Sequence, residues 1–363
     1  MRDKALFAYL KRKDGSEFEK ATIENWYIAR AYVLDKLKDV VIGPESSEHL
    51  HVEVVGDSDL MLSVVRQVAL SAHYANYEEE SGKNRTKITL VSDAKDTLER
   101  LRKEEYLCNL LDYCKYTIDS ILQNKDSYID IELEFVENEE SVKIDENSIV
   151  KQITEEDVNG FRGKKSREEI EEIDTSKAVL AGRMYDLGVL IDNLPAEDIH
   201  CASRYAMALD VFQHDYLKDD AESLIDGEKW KKNLNKVKNG LSNVFCADCF
   251  ESRAKGIGQI DNQKTWETYN EALSKSEHAR WVAEKLIMGF RPLTEEEHVN
   301  DEQCFGEVKK SYRDNLKNNS KDPAHIDLCS YRDLRRINPD DLKKDSFLML
   351  AIPIILKKLK INV

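Results

Sequence analysis

Apolar residues recur at helical spacing over 22–38. Ile23, Trp26, Tyr27, Val33, Leu34 and Leu37 share one stripe, and Thr22 is placed to cap it. The period then changes. Leu50 to Val55 is a short β-branched run, Gly56-Asp57-Ser58-Asp59 reads as a tight turn, and Leu60 to Ala72 returns to helical spacing. The apolar arc of that second helix is broad and leaves Ser63, Arg66, Gln67 and Ser71 as its polar remainder, which suits a helix lying on a sheet. Lys87 to Val91 predicts a second strand, ending at Ser92-Asp93. Strand, glycine turn, helix, strand is the opening of a doubly wound α/β domain with a parallel sheet.

Further along, 94–123 reads as helix, with Leu98, Leu101, Leu107, Leu110, Leu111, Ile118 and Ile121 as its apolar positions. Ser127 to Val136 alternates apolar residues with acids and predicts a third strand with one wet face. Residues 137–175 form an acidic zone, and GFRGKKSREEIEEID within it, 160–174, reads as an exposed loop or a solvated helix. The segments 176–218 and 229–258 are helical in pattern. So is 263–289, and a polar stretch over 294–323 separates it from a closing helix that contains Pro353. The pattern divides the chain into 1–175, an α/β domain with an acidic insertion, a helical middle region at 176–262, and a mainly helical module at 263–363.

Charge changes the picture locally. The 363 residues carry a net charge of −16, and 34% of them are charged, above the usual quarter. Asp126 to Asp174 alone holds 17 acids against 6 basic residues, a net −11, which leaves −5 for everything else. This balance argues against nucleic-acid binding, which calls for a basic face, and against docking on an anionic membrane. No apolar run approaches the length of a membrane span, so no membrane insertion is expected. No secretory leader pattern is visible, and the seven cysteines are odd in number and scattered. Both features predict a cytosolic protein with reduced thiols.

Three constellations carry candidate chemistry. The Gly56 turn opens a helix after a strand, where free N–H groups suit a phosphate, and Asp93 follows the second strand, where an acid can hold a ribose hydroxyl. Gly56, Asp57, Ser58 and Asp93 are therefore candidate cofactor contacts. The loop nevertheless lacks the second and third glycines of G-x-G-x-x-G, and Asp57 and Asp59 repel phosphate, so NAD is expected to bind weakly or not at all. Cys246-x-x-Cys249 is a lone pair of cysteines without matching zinc ligands and reads as core packing. His278, Trp281 and Lys285 fall within about 60° on one helix, with Glu277, Arg280 and Glu284 as the opposite, solvated face. An aromatic plate, an imidazole and an ammonium together can stack a base and hold a phosphate. Equally, the ring and imidazole can be core residues while the lysine snorkels. No catalytic or metal motif appears.

The last hundred residues resemble the ryanodine-receptor (RyR) domain. Ser276-Glu277-His278-Ala279-Arg280-Trp281, Glu284-Lys285 and Gly289-Phe290-Arg291 match its opening, and His325-Ile326-Asp327-Leu328, Tyr331, Leu334 and Asp345 match its second half. The segment around Gly56 resembles a degenerate TrkA-type, Rossmann-like nucleotide-binding domain, which often precedes RyR modules in bacterial chains. The resemblance implies a helical module with a groove for an adenine-type nucleotide. Trp281 would be the plate and His278 its neighbour, Lys285 and Arg291 the phosphate contacts, and His325 and Tyr331 the opposite wall. The polar stretch before His325 is longer than the family's, which implies a reshaped or partly covered groove.

Three functions remain open on the sequence. The first is a ligand-sensing protein whose RyR-like module binds a nucleotide-type small molecule, with a homo-oligomer or a protein partner left open. The second is an enzyme that binds NAD(P) or processes a nucleotide. The third is an interaction protein in which the module only packs.

Overall fold

The computed structural model describes residues 16–103, 107–124, 127–171, 176–182, 237–319, 321–361 and 363. Helix α1 (Lys20–Leu37) starts two residues before Thr22, after Glu19. It is followed by β1 (His49–Val55), α2 (Asp59–Ser71) and β2 (Thr86–Val91). The strands β1 and β2 are parallel, with His51 opposite Lys87 and Val55 opposite Val91. Gly56 ends β1 with φ +109°, a conformation glycine alone adopts readily, and its N–H donates to the Val91 carbonyl at 3.0 Å. The strand–turn–helix–strand reading therefore holds.

Helix α2 is more enclosed than its pattern suggested, since every residue from Leu60 to Ser71 is buried. Its polar remainder survives burial by local satisfaction. Ser63 and Ser71 donate to the carbonyls of Asp59 and Gln67, both at 2.7 Å, and Arg66 lies over the Trp26 ring of α1 at 3.9 Å.

The expected long helix over 94–123 is replaced by four elements: α3 (Ala94–Lys103), α4 (Leu107–Tyr113), β3 (Lys115–Ile118) and β4 (Ile121–Asn124). Asp119 and Ser120 both take positive φ between the two strands. That is the two-residue hairpin geometry matching strand twist, and with β-prone Tyr116-Thr117-Ile118 it overrides the helical spacing. Next comes β5 (Ile131–Val136). Then comes β6 (Ser148–Thr154), a strand not expected in the acidic zone, followed by α5 (Glu155–Lys164) and α6 (Arg167–Glu171), which make most of the described part of 160–174 helical. The sheet order is β4-β3-β5-β2-β1-β6, all parallel except β4.

The two sheet faces differ. Leu50, Val52, Val54, Ile88, Leu90, Ile131, Leu133 and Phe135 form a buried apolar face. The other face carries His51, Glu53, Lys87, Thr89, Lys115, Glu132, Glu134 and Gln152, tied by cross-strand pairs such as Lys87–Glu134 and Lys115–Glu132, both at 2.7 Å. A doubly wound sheet needs helices here. Instead the β5–β6 connection holds one 3₁₀ turn (Glu139–Ser141). It lies across the polar face, with Glu139 bonded to Gln152, the Lys143 carbonyl to Lys87 and Asp145 to His49. The face read as wet on the third strand is polar but covered: His51, Glu53, Thr89 and Glu134 are all buried.

The remaining described elements are helical. They are α7 (Val237–Asp248), α8 (Phe250–Ile257), α9 (Gln263–Thr268), α10 (Asn270–Ile287), α11 (Glu295–Gln303), α12 (Gly306–Lys317), α13 (Tyr331–Ile337) and α14 (Pro339–Lys358), which contains Pro353. The helix expected over 263–289 is split at Tyr269, and the polar stretch 294–323 forms α11 and α12. Most of the middle region, 183–236, lies outside the described residues. The C-terminal helices are not held apart from the α/β part: α10 packs on α2, α4 and α14, and one continuous apolar core runs from Trp26 and Val52 to Phe347 and Ile355.

Part of that union is a glycine contact. A Cβ on Gly256 of α8 would lie 2.5 Å from the Ile42 carbonyl oxygen, and one on Gly43 would lie 2.5 Å from the Gly256 oxygen. Both obstacles are backbone and cannot swing away. Gly256→Ala is expected to cost about 1–3 kcal/mol through overpacking, read as a lower urea midpoint. Gly160→Ala in α5, where a Cβ meets nothing within 4 Å, is expected to be neutral or stabilising. Equal midpoints for the two variants would contradict the close approach.

Candidate functional site

At the Gly56 turn the structure uses the candidate cofactor residues internally. Ser58 Oγ accepts from the Met61 N–H at 3.4 Å and caps α2. Asp93 Oδ1 accepts from the N–H groups of Lys95 and Asp96, both at 3.1 Å, and so caps α3. Arg100 reaches from α3 to the Asp57 carbonyl and to the carboxylates of Asp57 at 3.2 Å and Asp59 at 2.7 Å. Three charged side chains thus crowd the helix N-terminus where a phosphate would sit. The expected result is weak or no NAD binding by calorimetric titration. Sub-micromolar binding that Asp93→Ala abolishes would show that this turn opens for the dinucleotide.

The second constellation is built on α10. His278 is buried and donates from Nε2 to the Cys329 carbonyl at 2.9 Å. Burial pushes its pKa down to about 4, so the ring is neutral at pH 7. It lies nearly parallel to Trp281, with centroids 6.2 Å apart, and edge-on to Tyr331 at 5.9 Å. Trp281 stays half-buried. Its ring meets His325 edge-on at 5.0 Å, and the Lys285 ammonium lies 5.5 Å from its centroid. Burial, then the nearby Lys317 and Lys285 ammoniums, push His325 down to about 3.

Five of the six candidates, His278, Trp281, Lys285, His325 and Tyr331, therefore form one contiguous group. Arg291 adjoins it only through its backbone, whose carbonyl accepts from the His325 N–H at 3.0 Å. Its guanidinium is held by Glu297 at 2.7 and 2.9 Å and by Asp322 at 2.8 Å. Both acids belong to the long polar stretch, which reshapes this side of the group.

The same stretch supplies Lys317, and 338–344 supplies Asn338, Asp341 and Lys344, none of them singled out by the sequence. Lys317 ends α12, where the Leu316 carbonyl accepts from the Ala324 N–H at 3.2 Å, one residue from His325. Asn338 donates to Asp327 at 3.0 Å and to Asp341 at 2.8 Å. Burial and then Asp341 push the Asp327 carboxyl up, and Lys344 pairs with Asp341. The Asn338–Asp341 and Asp341–Lys344 contacts are local, and the Asn338–Asp327 bond spans a turn between two helices, so helical spacing alone does not announce the group.

The face read as solvated is the largest correction. Glu277, Arg280 and Glu284 are all at most 3% exposed. Arg280 binds Glu277 at 2.8 Å and Glu284 at 2.7 Å. Arg253 of α8 adds a bond to Glu277 at 2.8 Å, Lys285 pairs with Glu284 at 2.8 Å, and Ser242 donates to Glu284 at 2.8 Å. Helix α10 is enclosed on this side by α7 and α14, and each buried charge survives because it is paired. Burial alone would raise the pKa of Glu277, but Arg280 and Arg253 outweigh it and hold the value near 2.

The group also touches the α/β part. Tyr128 donates to the Leu328 carbonyl at 2.9 Å, and Glu79 accepts from the N–H groups of Tyr331 at 2.8 Å and Arg332 at 3.3 Å. Ser276 donates to the His73 carbonyl at 3.1 Å. Between these contacts lies a narrow cleft lined by Tyr77, Glu79, Tyr128, Lys275, His278 and Cys329. Its interior of about 10 Å³ has room for one water.

Cys246 and Cys249 are core residues. Both thiols are buried, burial pushes both pKa values up, and the Cys249 thiol faces the Ser71 and Phe245 carbonyls at 3.5 Å. Among the described residues no group of three or more His, Cys, Asp or Glu is placed to hold a metal ion, and no helix is long and apolar enough to cross a membrane. No protein-family model, no curated protein and no solved structure matches the chain.

Proposed function

We propose that this is a cytosolic ligand-sensing protein that binds a small nucleotide-type molecule at the Trp281–His325 face of an RyR-like module. The α/β half is read as a Rossmann-like domain that keeps the topology without the dinucleotide. One observation carries the proposal: a half-buried indole with an imidazole at its edge and an ammonium over its ring. Stacking plus a cation is what a base with a phosphate requires. Segment 325–331 supports a sensing role, because it carries His325 and Tyr331 and is also bonded to Tyr128 and Glu79 of the α/β half.

The test is a melting curve in the presence of ATP, ADP-ribose and NAD. A ligand at 100 times its Kd stabilises the native state by about 2.7 kcal/mol, which shifts the transition by several degrees. If no member of the panel moves the curve, Trp281 and its neighbours are packing residues and the reading is wrong.

A further inference from the structure

We infer that residues 137–147 form a strap that opens on its own over the polar face of the sheet, held closed in weak acid and released when the Glu53 and Glu139 carboxylates both ionise. The strap belongs to the α/β half and acts whether or not the Trp281 face binds a ligand.

Its anchorage is thin. Of its eleven residues only Val142 is half-buried, and the rest, Ile144 included, are exposed. Polar contacts hold it down. Glu139 accepts from Gln152 Nε2 at 2.9 Å, Lys143 donates to Ser120 at 3.1 Å, the Lys143 carbonyl accepts from Lys87 at 3.5 Å, and Asp145 meets His49 at 3.3 Å. A segment without a buried apolar side chain opens locally more easily than a core strand or helix.

Beneath the strap lie polar groups that closure serves poorly. His51 is fully buried and donates from Nε2 to Thr89 Oγ1 at 2.7 Å, because the Thr89 hydroxyl gives its own hydrogen to Glu134 at 2.8 Å. His51 Nδ1 is then an acceptor, and it is buried without a partner among the described residues. Thr117 Oγ1, opposite Glu134 in the register, is buried without one as well.

Glu53 is the third such group. It is 7% exposed and forms no ion pair with the described residues, and its hydrogen bond is a 3.4 Å contact from Gln152 Nε2. The same nitrogen holds Glu139, so closing the strap brings a second carboxylate to the buried one. The groups that face Glu53 are Glu139 from the strap, Gln152 from β6 and Lys87 from β2, and Lys87 is already bonded to Glu134 at 2.7 Å. Burial and then Glu139 push the Glu53 pKa above its ordinary 4.5, while Gln152 and Lys87 offset part of the rise. A carboxyl whose pKa is higher under the closed strap takes up a proton on closing. Raising the pH until Glu53 loses that proton therefore favours the open form.

Modification of histidines by diethyl pyrocarbonate, located by mass spectrometry, tests this on the full chain. His73 is the internal standard for global unfolding: it is buried, with Nδ1 bonded to Asp130 at 2.9 Å and Nε2 to the Ala69 carbonyl at 2.8 Å. At pH 8, His51 is expected to react faster than His73 in wild type. Glu139→Gln, a change at an exposed residue, should slow His51 about five-fold, the upper end for a charge pair with one exposed member, and leave His73 unchanged. Glu53→Gln should do the same, and the double variant should be no slower than either single one. The ratio of wild-type to Glu139→Gln rates at His51, in which the intrinsic reactivity of imidazole cancels, should fall towards one between pH 8 and pH 5. Equal rates at His51 and His73 would mean that only global unfolding exposes the face. A His51 rate indifferent to Glu139→Gln, or a ratio that does not change with pH, would remove the carboxylate pair as the control. Any of these three results overturns the proposal.

Discussion

Glu277→Ala is expected to destabilise the protein by about 3–5 kcal/mol, because it leaves two buried guanidiniums, Arg253 and Arg280, without their shared carboxylate. Glu277→Gln keeps the shape and some hydrogen bonding but removes the charge, and should fall between wild type and the alanine variant. Acid titration gives the same network a second reading. The folded pKa of Glu277, near 2, lies below its ordinary value of 4.5. The unfolded chain therefore binds the proton more readily, and the contribution is present in full above about pH 4.5. It is lost as pH falls towards 2. A gap of that size is worth about 3 kcal/mol at neutral pH, of which more than half is gone by about pH 3. Urea unfolding of wild type and Glu277→Gln at pH 7 and pH 3 measures it, and the difference between the two proteins should shrink at the lower pH. A difference that stays constant would mean that the pairs contribute nothing beyond packing.

The network also shows what could be read from the sequence. Glu277, Arg280 and Glu284 stand at i, i+3 and i+7, a spacing equally suited to a solvated face and to a buried ladder. What decides between them is whether other elements cover that side of α10, and Arg253 and Ser242, which complete the ladder, come from α8 and α7. Period alone cannot supply that. The strands β1 and β2 were legible because a β-branched run, a glycine and a broad apolar helix agree with one another. The hairpin β3–β4 was missed because Leu110, Leu111, Ile118 and Ile121 keep helical spacing across it, while its own signal is the short Asp119-Ser120 turn. β6 was hidden in an acidic setting, as an edge strand whose residues mostly stay half-buried or exposed. At the site, the resemblance brought together five side chains that do meet. Arg291 went elsewhere because Glu297 and Asp322, from the unusually long polar stretch, capture its guanidinium.

Trp281→Ala is expected to separate the sensing role from a purely structural one. The indole is half-buried and touches His278, His325 and the Lys285 ammonium, so truncation costs stability whatever the ring does. A fully buried Trp→Ala change costs about 3–5 kcal/mol, and half-burial brings the expected loss to roughly 2 kcal/mol. If the ring also stacks a base, the same substitution removes about 1–3 kcal/mol of binding. That is roughly a five-fold to over a hundred-fold loss of affinity at about 1.4 kcal/mol per decade. Melting temperature and nucleotide affinity must therefore be measured on the same protein. Trp281→Phe completes the test, since it keeps an aromatic plate in the same place with a smaller face. For a stacking site it should recover most of the affinity lost in Trp281→Ala, more completely than it recovers stability. Recovery of stability alone, with wild type indifferent to every nucleotide, would make Trp281 a packing residue between α10 and the His325 segment.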